Sequence, residues 1–126
     1  MDMRFLKCEK CGKVIGIVHD SPCPTMCCGQ AMVDIKAGTT EASVEKHIPV
    51  ITTRNNNLVD VTVGAALHPM EEDHFIEWIA LKTEQGMHIK KLHPGDAPKA
   101  SFSVVDGNHV YLAYAYCNKH GLWSTN

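Results

Sequence analysis

Residues 109–120 read His109-Val110-Tyr111-Leu112-Ala113-Tyr114-Ala115-Tyr116-Cys117-Asn118-Lys119-His120. In an extended strand, side chains alternate between faces, so Val110, Leu112, Tyr114 and Tyr116 share one side. Tyr111, Ala113, Ala115 and Cys117 share the other. Either face suits a core, and the small residues leading to Cys117 leave room beside its sulfur. The run closes on Cys117-x-x-His120, a spacing whose short turn can bring a thiolate and an imidazole to one ion.

The same extended pattern continues upstream. Asp106-Gly107-Asn108 is a turn that follows a strand from Ala100 to Val105, and Gly95-Asp96-Ala97-Pro98 punctuates before it. His74 through Lys82 predicts a strand, Gln85-Gly86 a turn, and Met87-His88-Ile89-Lys90-Lys91-Leu92 a further strand. Pro49-Val50-Ile51-Thr52-Thr53 leads through Arg54-Asn55-Asn56-Asn57, a hairpin turn, into Leu58-Val59-Asp60-Val61-Thr62-Val63. No stretch holds a helical period, so residues 44–126 are expected to form an antiparallel β-sandwich. Before them, Ala37-Gly38-Thr39-Thr40-Glu41-Ala42-Ser43 is small and polar, a linker.

The 126 residues, 44% of them apolar, suffice for one or two small domains, and a net charge of -2 supplies no basic field for nucleic acid or anionic membrane. No apolar run approaches the roughly 20 residues of a membrane span. Met1-Asp2-Met3-Arg4-Phe5-Leu6-Lys7 lacks the apolar stretch of a secretory signal, so the expected compartment is the cytoplasm. There, six cysteines read more naturally as metal ligands than as disulfides.

Five of those cysteines fall within the first 28 residues. Residues 1–36 carry Cys8-Glu9-Lys10-Cys11 and Cys27-Cys28-Gly29, with short strands expected over Val14–Val18 and Ala31–Ile35. A segment below about 40 residues rarely buries enough surface to fold unaided, which points to a metal staple. The vicinal pair is unusual, because neighbouring side chains diverge and a plain zinc ribbon has C-x-x-C at both ends. Cys23 adds a second possibility, a Cys23/Cys27 pair. A structural zinc knuckle and a four-thiolate iron both satisfy this donor set.

In the larger segment, candidate ligands come in three packages: Glu45-Lys46-His47-Ile48-Pro49-Val50, His68-Pro69-Met70-Glu71-Glu72-Asp73-His74, and Cys117-Asn118-Lys119-His120-Gly121. His47, His68, His74, Cys117 and His120 together exceed a tetrahedral zinc site and include no carboxylate. Four imidazoles with one thiolate suit a redox metal with an open position. His19, His88, His93 and His109 lie outside these packages.

The order of these motifs resembles the desulfoferrodoxin family, two-iron superoxide reductases. C-x-x-C, fifteen residues, then C-C-G is similar to its desulforedoxin-like N-terminal domain. E-K-H-x-P-V, H-P-M-E-E-x-H-x-x-x-W and Y-C-N-x-H-G-x-W follow, and the likeness covers nearly the whole chain. It implies a distorted tetrahedral iron on Cys8, Cys11, Cys27 and Cys28, with Cys23 a bystander. It implies a second mononuclear iron with His47, His68, His74 and His120 equatorial and Cys117 axial, inside an immunoglobulin-like sandwich. The implied reaction is one-electron reduction of superoxide to hydrogen peroxide, with Lys46 attracting the substrate and Glu45 able to bind the ferric iron. A rubredoxin or similar electron donor and a homodimer are further expectations of the family. Dismutation, electron carriage without catalysis and a zinc-stapled interaction module are the rival readings.

Overall fold

The structure, a computed structural model, describes residues 3–38, 44–55 and 57–125. It divides into two compact units, Met1–Lys36 and Ala37–Asn126. Most of the linker expected over residues 37–43 lies outside the described residues. Strands dominate both units, and the all-β expectation holds.

The first unit is built on β1 (Arg4–Lys7), which pairs antiparallel with β2 (Val14–Ile17) and with β5 (Val33–Asp34). β3 (Met26–Cys27) and β4 (Gln30–Ala31) form a separate hairpin. The expected strand over Ala31–Ile35 is thus split between β4 and β5, with Met32 at the break, its N–H donating to the Thr25 carbonyl. Among the described residues of this unit, only Phe5, Leu6 and Cys8 are buried. So small a core cannot offset the chain entropy of 36 residues, and the unit depends on its cysteines.

The second unit is a two-layer antiparallel sandwich of the expected immunoglobulin-like class. One sheet runs β10 (Lys99–Ser103), β7 (Leu58–Val63), β6 (Pro49–Arg54); the other runs β12 (Gly121–Ser124), β11 (Val110–Cys117), β8 (Ile76–Thr83), β9 (Gly86–Lys91). Alternation supplies the core between them. Val59, Val61 and Val63 of β7 meet Ile79 and Leu81 of β8, Phe102 of β10, and Ala113, Ala115 and Cys117 of β11. The small face of β11 is therefore the inward one, because bulky residues opposite it fill the space. On the outer side of β7, buried Asp60 accepts from Arg54 Nε at 2.5 Å and Nη2 at 3.1 Å, and from Ser101 Oγ at 2.5 Å. These partners hold its carboxyl below the usual range and offset its burial.

Two irregularities bear on the site. The β8–β11 register slips between Tyr116↔Trp78 and Cys117↔Ile76, a bulge at Glu77 that turns Ile76 into the core just where Cys117 ends its strand. The single helical turn α1 (Val44–His47) was not expected from the sequence, since four residues cannot display a period. Nor were β1 and β12, four residues each.

Candidate metal centres

The first cluster lies in the small unit. Cys8 leaves β1 and enters a tight knuckle: its N–H donates to Lys13 O at 2.9 Å, its carbonyl accepts from Gly12 N at 2.9 Å, and its sulfur accepts from Cys11 N at 3.4 Å. The vicinal pair is explained by the β3–β4 hairpin. Its two loop residues, Cys28 (φ 53°) and Gly29 (φ 77°), both have positive φ, as a type I′ turn requires. That twist swings the Cys28 side chain back beside Cys27 instead of across the strand. Cys11 Sγ and Cys27 Sγ are 3.7 Å apart, Cys27 Sγ and Cys28 Sγ 4.0 Å, and all four sulfurs lie within 4.8 Å of one another. Sulfurs about 2.3 Å from a common tetrahedral metal would be about 3.8 Å apart, so the cluster fits one ion.

Electrostatics agree. Backbone N–H groups of Cys11 and Lys10 bring the Cys8 thiol down to about 6. Hydrogen bonding to Cys8 and Cys11 pushes Cys27 up to about 12, and Cys28 moves up for the same reason. Thiolate ligands must be deprotonated, so a bound cation favours the ionised forms of Cys8, Cys27 and Cys28 together. None of the six cysteines forms a disulfide. Cys23 is exposed and is not among the four gathered sulfurs.

The second cluster sits at one end of the sandwich, where its ligand-bearing loops converge. His47 ends α1, whose turn is closed by Ile48 N donating to Val44 O at 3.1 Å. That turn packs on the loop after β7: Ala66 N donates to Glu45 O at 3.2 Å and Gly64 N to Ile48 O at 3.1 Å. Gly64 permits the approach, because at φ 87° a Cβ would sit 2.3 Å from Ala66 O and 2.6 Å from Lys46 O. His68 follows in the same loop, its N–H bound to Val63 O at 3.2 Å. His74 belongs to a tight loop bridged to Glu71 and not to β8, which begins at Ile76. Cys117 ends β11, and His120 closes the turn into β12.

The four rings form a square. Neighbouring centroids are 4.6 Å (His47–His68), 4.8 Å (His68–His74), 5.1 Å (His74–His120) and 4.8 Å (His120–His47), each pair near perpendicular at 78–82°. His47 and His74 face each other across a 6.5 Å diagonal. His47 Nε2 lies 3.2 Å from His68 Nε2 and 3.0 Å from His120 Nδ1. Adjacent nitrogens about 2.1 Å from one metal would be about 3.0 Å apart. Among the described residues, buried His74 Nε2 has no hydrogen-bond partner, as fits a nitrogen that binds a cation. Cys117 Sγ, fully buried, is 3.9 Å from His120 Nδ1 and within 4.8 Å of the donor atoms of His47, His68 and His74. The sulfur is thus near enough to the four rings to share one metal with them.

Local contacts set each donor. His68 Nδ1 is 2.7 Å from Pro69 O, which fixes the proton on Nδ1 and leaves the Nε2 lone pair pointing inward. Burial pushes His68 down to about 4 and lowers His74, which in both rings favours the neutral form that can bind a metal. Burial raises Cys117, while N–H groups of Lys119 and His120 donate to its sulfur and oppose that rise. Glu45 and Lys46 are exposed on α1, next to His47. The sequence singled out the donors but not their supports. Gly64 was signalled only by a glycine directly after a strand, and Asn118 and Trp123 stood within a quoted motif without a role.

The desulfoferrodoxin sequence profile matches residues 39–126. A desulfoferrodoxin homologue of Archaeoglobus fulgidus is 46% identical over 123 residues, covering 98% of this chain and 96% of the relative. The chain belongs to the desulfoferrodoxin family. The desulfoferrodoxin of Nitratidesulfovibrio vulgaris is 44% identical over 117 residues, 93% of this chain and 90% of the relative. Among solved structures, the superoxide reductase of Treponema pallidum superposes over 100% of both chains with a TM-score of 0.84 at 32% identity. The two clusters are those of the family's two iron sites, one of four cysteines and one of histidines with a cysteine.

Proposed function

We propose that this chain is a superoxide reductase whose substrate reacts at an iron held by His47, His68, His74, His120 and Cys117. The observation that carries the proposal is the square of four imidazoles, each near perpendicular to its neighbours, with the buried Cys117 sulfur within reach of their donor atoms. No carboxylate joins that group among the described residues, and a small anion is the substrate its donor set suits. When bound, ferrous iron supplies the electron that, with two protons, turns superoxide into hydrogen peroxide.

The chain's own residues make that outcome favourable. Neutral imidazoles do not cancel the metal's charge, and a single thiolate leaves the site net positive toward an anion. The N–H groups of Lys119 and His120 spread the sulfur's charge and thereby limit how strongly Cys117 donates. Lys46 Nζ, one residue before His47, draws superoxide inward and orients a water that delivers a proton. The Glu45 carboxylate balances the positive charge gained on oxidation. The spent electron is replaced by a small carrier of the rubredoxin kind, and Cys8, Cys11, Cys27 and Cys28 hold the second iron. Family likeness also supports a homodimer.

Product stoichiometry tests the reading. Iron-loaded, pre-reduced protein given superoxide is expected to yield one hydrogen peroxide per superoxide consumed, with no oxygen. Oxygen released with half the peroxide would identify a dismutase. Ferrous protein inert to superoxide would leave only an electron carrier, and either result overturns the proposal.

A further inference from the structure

The structure assigns Asn118 the task of holding His74 in register with Cys117, as a positioning residue for the histidine-cysteine centre. The inference rests on the reading that these donors share one metal. Asn118 follows Cys117 directly, and its carboxamide reaches across to the chain on both sides of His74. Phe75 N donates to Asn118 Oδ1 at 2.9 Å, and Asn118 Nδ2 donates to Asp73 O at 3.0 Å. Asn118 N also donates to Phe75 O at 3.2 Å, prolonging the β8–β11 pairing by one step past Cys117↔Ile76.

The need for such a clamp is local. His47 and His68 are fixed by the packing of two loops around Gly64, His68 further by its bond to Pro69, and His120 by Trp123 Nε1 donating to its carbonyl at 3.1 Å. His74 stands on a loop whose own closure is the two-bond bridge with Glu71, at 2.9 and 3.1 Å. Its ring nitrogen Nε2 has no hydrogen-bond partner among the described residues. Adjacent to a bulge at Glu77, the strand alone does not set where this loop sits. A primary amide is the side chain that offers one acceptor and one donor together, as the Phe75 N–H and the Asp73 carbonyl demand. Aspartate keeps the acceptor and sets a charged oxygen against the Asp73 carbonyl. Leucine, of similar shape, keeps neither.

The test is metal affinity, read without superoxide. Cobalt(II) is titrated against a competing chelator into the full chain, wild type, Asn118→Leu and Asn118→Asp. The bands of the four-cysteine centre serve as an internal reference. Loss of an outer partner of this kind costs about 10–100-fold in affinity. Asn118→Leu is expected to weaken binding at the histidine-cysteine centre at least tenfold and to alter its sulfur-to-cobalt band, with the four-cysteine centre unchanged. Asn118→Asp is expected to fall between, and it carries the test if the leucine variant does not fold. Wild-type affinity and spectrum in both variants, with only a lowered melting temperature, would reduce Asn118 to a structural residue and overturn the inference. A wild-type protein that binds cobalt through the cluster yet fails to reduce superoxide would defeat the proposed function alone. A wild type that binds none there defeats both.

Discussion

Gly64 and His68 show how single residues fix the second centre. Glycine at position 29 has φ 77° and open space, with nothing within 4 Å of where a Cβ would stand, whereas Gly64 combines φ 87° with backbone oxygens at 2.3 and 2.6 Å. Gly29→Ala should therefore cost only the strain of a left-handed alanine, about 1 kcal/mol. Gly64→Ala adds a backbone collision and should cost more than about 3 kcal/mol, while separating His47 from His68; urea unfolding of the two variants would give equal losses if the collision were relieved freely. His68 makes a prediction about pH. Its folded value, about 4, lies below its ordinary 6.5, so between those values the unfolded chain takes up a proton that the folded chain refuses. The metal-free protein should lose stability as pH falls through 6.5 toward 4. His68→Gln should shrink that loss, with His74 supplying the remainder; an unchanged slope in the variant would contradict the assignment. Every proposed donor could be named from the sequence, since Cys and His carry their chemistry in their identity. The supports could not, because a glycine's value lies in which carbonyls approach it.

At the level of elements, β11 shows what alternation can and cannot tell. Its two faces are legible in residues 112–117. A register slip between Val110 and Leu112 overturns the expected alternation there, so that Val110 packs on the core and Tyr111 is exposed. The pairing partners are not legible at all. Which face turns inward depends on Ile79, Leu81 and Val61 arriving from other strands, each fully buried. Ala113 and Ala115 are small because those neighbours are large. Ala115→Leu should thus overpack the core, costing about 1–3 kcal/mol in urea unfolding; a neutral result would mean that the layer has unfilled space. The type I′ turn at Cys28-Gly29 was equally hidden. The vicinal cysteines looked geometrically awkward in sequence, and positive φ at both positions resolves the difficulty.

For the whole molecule, the two units depend on metal to different degrees. The second has a continuous core spanning both sheets, and the first has, among its described residues, two buried apolar side chains, Phe5 and Leu6, besides its four converging thiols. Cys11→Ser should accordingly loosen the first unit and remove its metal spectrum, with amide exchange there rising toward unfolded rates. The histidine-cysteine centre should keep its spectrum, and its loss in the same variant would show that the second unit cannot hold its metal alone. The sequence made the division visible through the crowding of cysteines in residues 1–36, a matter of composition. The pairings of β1 with β5 and of β11 with β12 each rest on a strand, β1 or β12, too short to announce itself.

X-ray absorption at the iron edge, on protein loaded at both centres, reaches the coordination directly. The two irons should share four nitrogen donors at imidazole distance and five sulfurs, with the ferrous form showing no protein oxygen in the shell. Four sulfurs in place of five, or a nitrogen replaced by carboxylate oxygen in the ferrous state, would mean that Cys117 and the four rings do not bind one metal.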